Sequence, residues 1–182
     1  MNTQGMPAKR AGSLPAIGHV ATPEQLERFA AKAGADGRRL VGGALIADEQ
    51  GRIYVQRRSE QRALFPGCWD IVGGHVEQGE DLMPALEREV LEETGWRLIS
   101  SGPVVEILDW SAGDGVLRRE IDLLVSVTGD LTSPYLEPGK HSEGRWLAPH
   151  ELGVLLERRH HDDRWVHDTV ERAFRLLAER PG

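Results

Sequence analysis

Residues 73–96 read GGHVEQGEDLMPALEREVLEETGW, and this stretch decides how the rest of the chain is interpreted. Asp81 is placed to cap a helix, because aspartate is a favoured N-cap residue. Pro84 falls in the first turn, where amide groups have no intrahelical partner and a proline is tolerated. Gly95 is suited to the left-handed conformation that commonly ends a helix. The stretch therefore predicts a helix over residues 82–94 that follows a glycine-rich turn.

Three glutamates share one face of this predicted helix. Glu89, Glu92 and Glu93 stand at positions i, i+3 and i+4, which are neighbours on a helix surface. Close carboxylates repel one another unless a cation joins them, and oxygen ligands suit Mg²⁺ or Mn²⁺. Since Mg²⁺ usually shares its ligands with substrate phosphates, such a site implies a small phosphorylated ligand. The alternative is an acidic helix face that is simply solvated.

The wider spacing resembles the box that defines the Nudix hydrolase superfamily. Gly74, Glu80, the pair Arg88-Glu89, the pair Glu92-Glu93 and Gly95 all stand where that box requires them, so the box covers residues 74–96. The resemblance, which is of the MutT type, implies an α/β/α sandwich with a mixed sheet. The rest of the chain also favours an α+β fold, because its strands and helices do not alternate regularly.

The resemblance also implies an activity and a cofactor. It implies a Mg²⁺-dependent hydrolase, with Mn²⁺ as the alternative ion, that cleaves a diphosphate linkage in a nucleoside diphosphate joined to another group X. X is left open as the remaining phosphate of a nucleoside triphosphate, a sugar or a related moiety. By the same resemblance the metal ligands are the side chains of Glu89, Glu92 and Glu93 and the backbone carbonyl of Gly74.

Further residues take supporting or catalytic roles by this resemblance. Glu80 and Arg88 are expected to orient the metal-binding carboxylates, as partners of metal ligands commonly do. A carboxylate must accept a proton from the attacking water. The candidates for this base are Glu93, Glu92 and, from a downstream loop, Glu143 and Glu137, of which Glu143 is preferred.

The residues before the box suggest how a substrate is held. Arg57 and Arg58 end a predicted strand, and a guanidinium group can grip a phosphate with two hydrogen bonds. We expect Arg58 rather than Arg57 to make this contact; the alternative is a solvated strand end. His75 is expected at the edge of the site rather than as a metal ligand, and Trp69 in the core or a lid.

The remaining chain is divided into three predicted parts. Residues 1–37 are a loose arm followed by a short helix, which Thr22 caps and Gly34 ends. Residues 38–158 are the Nudix domain, in which a β-hairpin over 40–58 precedes the box and strands over 97–110, 117–128 and 145–147 follow it. A loop over 135–144 precedes the last of these strands, and a short helix over 149–157 follows it. Residues 159–182 hold a C-terminal helix, starting near Asp162, that packs on the domain.

Composition excludes several classes of function. The 182 residues carry 22 basic and 29 acidic side chains, a net charge of −7, which makes a partner that is a nucleic acid polymer unexpected. No apolar run approaches the roughly 20 residues that span a bilayer, and the first thirty residues lack the apolar core of a signal peptide. The single cysteine, Cys68, favours a reduced, cytoplasmic setting. The sequence does not decide whether the chain forms a homodimer.

Two rival functions remain at this stage. One is a Nudix-fold domain that binds a nucleotide for regulation without cleaving it, although such a domain has no need of the full set of box carboxylates. The other is an enzyme like isopentenyl diphosphate isomerase, which has a similar stretch around Pro66-Gly67 and Trp69. That isomerase places its catalytic cysteine where this chain has Gly73, and Cys68 is out of register.

Overall fold

The computed structural model describes the backbone of residues 6–10 and the whole of residues 20–179. In chain order the elements are β1 (Met6–Arg10), α1 (Pro23–Ala35), β2 (Arg39–Ile46), β3 (Ile53–Arg58), β4 (Trp69–Asp70), β5 (Val72–His75), α2 (Leu82–Thr94), β6 (Arg97–Ser111), β7 (Arg118–Thr128), β8 (His141–Leu147), a 3₁₀ helix (Pro149–Leu156) and α3 (Trp165–Ala178).

The strands form two sheets. The larger sheet has the order β1-β6-β7-β2-β5, and the smaller sheet has the order β4-β3-β8. The larger sheet is mixed, since β2 and β7 run parallel from the pair Arg39 and Arg118 to the pair Ile46 and Val125, while its other pairings are antiparallel. The smaller sheet is antiparallel throughout.

Helices cover both faces of the larger sheet because its central strands are apolar on both sides. On β2, Ala44 and Ile46 belong to the core under α1 and α2. Leu45, between them, belongs to the opposite core, which includes Val166 and Val170 of α3. Successive strand residues point to opposite faces, so one apolar run supplies both cores. The predicted α/β/α sandwich with a mixed sheet is therefore confirmed.

Helix α2 has the predicted bounds. Leu82, Leu86 and Val90, spaced four residues apart, are buried against the larger sheet. Asp81 is the N-cap residue, although its side chain makes no capping hydrogen bond. Gly95 ends the helix in the left-handed conformation, with φ of 72°, and its N–H donates to the carbonyl of Leu91. The helix is thus held by one apolar face. In this orientation Glu89 and Glu93 point toward β5.

The predicted hairpin over residues 40–58 is wrong. Its two strands, β2 and β3, belong to different sheets and share only the bridge between Ala47 and Ile53. The turn before β3 is tight, with Gly51 at φ of 71°, but the chain leaves the plane of the larger sheet as it turns. Both edges of β2 are already occupied, by β7 and β5, so β3 pairs with β8 and β4 instead.

The ends of the chain also differ from the prediction. Residues 6–10 form strand β1 at the edge of the larger sheet, where a loose arm was expected. The rest of that arm, residues 1–5 and 11–19, lies outside the described residues. Helix α1 runs to Ala35 with Asp36 as its C-cap rather than ending at Gly34, and Thr22 caps it in a full capping box.

The C-terminal elements show two further differences. Strand β8 begins at His141, four residues before the predicted strand, so the preceding loop is shorter than expected. Helix α3 begins at Trp165 with Arg164 as its N-cap, and no side chain makes a capping hydrogen bond, so neither Asp162 nor Asp163 caps it. The domain boundaries at 37/38 and 158/159 stay predictions. Within the described residues, no helix is both long and apolar enough to cross a membrane.

Truncation of Leu86 tests whether α2 depends on its apolar face. Leu86 is 1% exposed, so Leu86→Ala should lower the free energy of unfolding by about 2–5 kcal/mol. Leu91→Ala on the same helix is the matched control, since Leu91 is 44% exposed and should change stability little. Urea unfolding followed by circular dichroism measures both. Equal effects of the two substitutions would contradict the packing described for α2.

Candidate active site

The box carboxylates lie where α2 passes over β5. Glu89 and Glu93 are buried, whereas the side chain of Glu92 is 45% exposed. Gly74 on β5 is in contact with the carboxylate of Glu89, and a Cβ atom at this position would overlap it. The absence of a side chain at Gly74 is therefore what allows the helix carboxylates to approach the strand backbone.

Glu93 is the most constrained member of the cluster. It accepts a hydrogen bond from the side-chain amide of Gln56 on β3 and another, of 3.2 Å, from the backbone N–H of Gly73. Nε2 of His141 on β8 lies 3.8 Å from its second carboxylate oxygen. Burial raises the pKa of Glu93 to about 8, and the neighbouring charge of Glu89 adds to this effect. A cation in contact with Glu93 would stabilise its ionised form.

Arg88 ties α2 to the turn that precedes it. Its guanidinium donates to both carboxylate oxygens of Glu80, at 3.1 and 3.0 Å, to Glu89 at 2.6 Å and to the carbonyl of His75 at 3.2 Å. The hydrogen bond from Arg88 holds the pKa of Glu80 below its usual range. Glu92 lies 3.6 Å from the same guanidinium. Arg88 therefore positions two of the three box carboxylates.

The residues around the cluster fit a divalent cation. Three carboxylates and the backbone of Gly74 offer oxygen atoms, the ligands that Mg²⁺ prefers. Within the described part of the chain, Oε1 of Gln56 and Nδ1 of His141 are buried without a hydrogen-bond partner. Although burial opposes it, a hydrogen bond to Glu137, together with the charges of Glu89 and Glu93, raises the pKa of Lys140. Arg88 and Lys140 also pair with Glu80 and Glu137, so they do not neutralise all three box carboxylates, which a cation would do.

Strand β3 separates the remaining predicted residues into two groups. Gln56 contacts Glu93, whereas Arg57, the next residue, faces the other side of the smaller sheet, where it lies over the ring of Trp69. Glu143 pairs with Arg57 across β3 and β8, and their side chains meet at 3.8 Å. Because paired residues of antiparallel strands point to the same face, Glu143 faces away from Glu93. The structure thus does not bring Glu143 and Arg57 to the carboxylate cluster.

Arg58 lines a cavity of about 450 Å³ that adjoins the cluster through β5. Its guanidinium donates to the carbonyl of Leu64 at 2.9 Å and to Asp70 at 3.2 Å. Arg62 lines the same cavity, and so do Gly73 and Gly74. The cavity and the carboxylate cluster are therefore on the two sides of one edge strand, within reach of a single extended ligand.

His75 lies on the cavity side of β5. Its Nε2 accepts a hydrogen bond of 3.3 Å from Arg118, so it faces away from the carboxylates. Burial, together with the positive charges of Arg39 and Arg118, lowers the pKa of His75 to about 4. A neutral histidine paired with an arginine is a border residue of the site, as expected from the sequence. Trp69 is buried in the core under α3, again as expected.

Sequence reasoning missed a second acidic group, on β7. Glu120 lines the cavity and accepts a 2.7 Å hydrogen bond from the indole N–H of Trp110. Asp122 lies behind it, fully buried, and no N–H group of the described residues donates to either of its oxygens. Burial raises the pKa of both, that of Glu120 to about 8; the charge of Asp70 adds to the shift at Glu120, and that of Glu120 to the shift at Asp122.

Gln56, His141 and Lys140 were also missed as neighbours of the cluster. The sequence held one signal, at Gln56. The alternation of the strand buries this position, and a buried glutamine must have polar partners. For Glu120 and Asp122 the signal was similar, since two acids interrupt the apolar strand RREIDLLVSV at alternate positions. The pattern does not reveal which groups these residues contact, because the strands that pair with β7 are known only from the folded sheet.

The same architecture occurs in known proteins. A model of the NUDIX domain matches residues 37–169. The nucleoside triphosphatase NudI of Escherichia coli O17:K52:H18 (strain UMN026 / ExPEC) is 29% identical over 117 residues, which cover 59% of this chain and 80% of that protein. The MutT NUDIX hydrolase from Burkholderia pseudomallei is 29% identical with a TM-score of 0.59, over 73% of this chain and 98% of that one.

A further structure agrees in fold alone. The MutT protein from Methanosarcina mazei Go1 is 22% identical with a TM-score of 0.60, over 79% of this chain and 96% of that one.

The match over residues 37–169 takes in the box and the strands on both sides of it, so the class of protein is a hydrolase that acts on pyrophosphate bonds. The chain belongs to the NUDIX domain family.

Substitution of Arg88 tests its role in positioning the carboxylates. Arg88→Gln removes the contacts to Glu80 and Glu89 and should weaken Mn²⁺ binding roughly ten- to 100-fold. Electron paramagnetic resonance titration with Mn²⁺ measures this affinity. Arg97→Gln is the control, because Arg97 is exposed on β6. An unchanged affinity in Arg88→Gln would show that the carboxylates do not depend on this guanidinium.

The acidic pair on β7 should make stability depend on pH. The pKa of Glu120 rises from 4.5 to about 8 on folding, so between these values the folded chain holds a proton that the unfolded chain has lost. The free energy of unfolding should therefore fall as pH rises through that window. Urea unfolding across the window should show a flatter profile for Glu120→Gln than for the wild type. Glu93 contributes in the same direction to both proteins, so parallel profiles would contradict the raised pKa of Glu120.

Proposed function

We propose that this protein is a Mg²⁺-dependent hydrolase that cleaves a diphosphate linkage in a nucleoside diphosphate joined to a group X, with a nucleoside triphosphate as the favoured substrate. One observation carries the proposal: the complete set of box carboxylates converges beside Gly74, at the border of a cavity lined by Arg58 and Arg62. The nucleoside triphosphatase NudI, which is 29% identical over 117 residues, supports the choice of substrate.

The proposed metal ligands are the carboxylates of Glu89, Glu92 and Glu93 and the carbonyl of Gly74. When bound, Mg²⁺ or Mn²⁺ would neutralise diphosphate oxygens and make a water molecule more nucleophilic. Gln56 and the N–H of Gly73 hold one oxygen of Glu93, which fixes the direction in which its other oxygen points.

Arg58 is placed to bind a phosphate of the substrate. Leu64 and Asp70 accept from two of its nitrogens, and among the described residues none accepts from Nη2. A guanidinium held by two partners and offering a third nitrogen to the cavity is preorganised for an anionic oxygen. Arg62, which also lines the cavity, adds positive charge on the same side.

The geometry separates the candidate bases. Glu137 is paired with the ammonium group of Lys140 at 2.8 Å. Glu143 faces the opposite side of the smaller sheet beside Arg57. Glu93 is buried and accepts two hydrogen bonds, which suits a fixed ligand. Glu92 lies on the same helical face with its side chain 45% exposed, so its carboxylate has access to solvent. We therefore assign proton transfer from the attacking water to Glu92.

The rival functions have less support. A regulatory domain that binds a nucleotide without cleaving it does not explain why buried carboxylates are kept close together at a cost in repulsion. An isomerase needs a cysteine at position 73, and Cys68 is buried with its thiol 3.5 Å from the carbonyl of Arg158, outside the lining of the cavity. A cytoplasmic setting and a homodimer stay predictions.

The test is hydrolysis of nucleoside triphosphates and nucleotide sugars with Mg²⁺, with and without EDTA. Cleavage should require the metal and should fall on the order of 10²- to 10⁴-fold in Glu92→Gln, as for loss of a general base. Glu93→Gln should weaken Mn²⁺ affinity as well, whereas Glu92→Gln should weaken it less. Glu87→Gln, an exposed carboxylate on the same helix, is the matched control.

Two outcomes would contradict the proposal. Tight binding of a nucleotide without turnover of any compound would favour the regulatory function. Hydrolysis that survives EDTA, or that is as fast in Glu93→Gln as in the wild type, would show that the box carboxylates do not carry the reaction.

A further inference from the structure

The segment before helix α3 brings two histidines and an aspartate together at the surface. His160, His161 and Asp162 are consecutive, and one ligand atom from each lies within 4.8 Å of the other two. On a helix, adjacent histidines point in different directions and cannot share one ion. Helix α3 begins only at Trp165, however, so these residues belong to a turn. The turn allows a convergence of side chains that a helix would prevent.

The turn is closed by its own backbone. The N–H of Asp163 donates to the carbonyl of His160 at 2.8 Å, so residues 160–163 form a β-turn. The imidazole rings of His160 and His161 lie side by side, with centroids 4.1 Å apart and planes tilted by 44°. The N–H of Asp162 donates to Nδ1 of His160 at 3.4 Å, which is long for a hydrogen bond. A metal ion would therefore replace only a weak contact at this nitrogen.

The carboxylate of Asp162 lies close to both rings. Its oxygens are 3.7 Å from Nδ1 of His160 and 3.1 Å from Nε2 of His161. Atoms that bind Zn²⁺ tetrahedrally, at roughly 2.0–2.1 Å from the ion, are about 3.3–3.4 Å from one another, and the two separations lie on either side of that value. Since the side chains of His161 and Asp162 are 78% and 61% exposed, small rotations bring the three ligand atoms to this spacing.

The neighbouring arginines do not neutralise Asp162. Each has another carboxylate as its partner: Arg159 pairs with Asp163 at 3.0 Å, Arg164 with Asp168 at 3.6 Å, and Arg158 with Glu60. In the part of the chain that the structure describes, the ionic contacts of Asp162 are with the two histidines alone. Its carboxylate can therefore bind an ion without breaking an ion pair to an arginine.

Arg159 fixes the turn to the body of the domain. Its side chain is completely buried, donates to the carbonyl of Trp69 at 2.7 Å and pairs with Asp163. Its guanidinium also lies 5.4 Å from the ring centroids of Phe65 and Trp165. A turn that is already held in place loses little conformational freedom when it binds an ion, and this preorganisation favours binding.

The ligand atoms select the kind of ion. Imidazole nitrogens suit Zn²⁺, Cu²⁺ and Ni²⁺, whereas Mg²⁺ prefers oxygen ligands. Two imidazoles and one carboxylate leave the fourth position of a tetrahedral Zn²⁺ ion for a water molecule. The carboxylates of the box offer oxygen atoms only, so the turn and the box differ in the ions that they favour.

We propose that His160, His161 and Asp162 form a binding site for a transition-metal ion, with Zn²⁺ as the expected ion. The site is separate from the proposed hydrolase function, because none of the three residues belongs to the box or lines the cavity beside β5. A bound ion would restrict movement of the turn that Arg159 connects to Phe65, a residue of the cavity lining.

The test is calorimetric titration of the full chain with Zn²⁺ in an excess of Mg²⁺. One Zn²⁺ ion should bind per chain. His161→Gln and Asp162→Asn should each weaken its affinity by at least roughly tenfold, since loss of a ligand weakens binding no less than loss of a residue that supports a ligand. His150→Gln is the matched control, because His150 is exposed and lies outside the turn. Glu93→Gln should also keep the wild-type affinity for Zn²⁺.

Three outcomes would overturn the proposal. The first is the absence of Zn²⁺ binding. The second is binding that persists in His161→Gln and is lost in Glu93→Gln, which would place the ion at the box. The third is equal affinity in the urea-unfolded chain, which would show that the folded turn does not build the site. Hydrolysis of nucleoside triphosphates with Mg²⁺ should be unchanged in His161→Gln, so failure of the hydrolase and failure of this site are measured independently.

Discussion

The close approach of helix α2 to strand β5 is the contact on which the rest of the site depends. It is possible because Gly74 carries no side chain where the carboxylate of Glu89 meets the strand. Gly73 adopts φ of 152° and lies against the backbone of Gly42 on β2, so this part of the sheet is packed backbone against backbone. A side chain at Gly74 would push α2 outward and separate Glu89 from the backbone atoms beside it.

This contact places acidic groups on both sides of one strand, and the two groups are stabilised differently. On the side of α2, Glu93 is held by Gln56 and Gly73, and a cation would offset the repulsion between carboxylates. On the side of α3, burial raises the pKa of both Glu120 and Asp122, which favours their neutral forms. Repulsion between carboxylates is thus relieved by a cation in the first group and by protonation in the second.

An aromatic cluster supports the smaller sheet beneath the site. Tyr54 contacts Trp96 and Trp146 edge to face, with centroid distances of 4.8 and 5.5 Å, and the two tryptophans stack on each other. Gly144 on β8 allows the hydroxyl of Tyr54 to fit, since a Cβ there would overlap it. Tyr54 and Gln56 share a face of β3, so the packing of these rings helps to set the position of the amide that holds Glu93.

The sequence by itself determined helix α2, its ends and the grouping of its glutamates, because these depend on spacing along one helix and on the residues at its ends. The α/β/α architecture was also predictable, since apolar runs such as residues 40–47 require cover on both faces. The tertiary structure alone decided that β2 and β3 join different sheets, that Glu143 faces away from Glu93, and that Glu120 and Asp122 border a cavity. These features depend on pairing between strands distant in sequence, and the register of such a pair is set by the packing of the whole sheet.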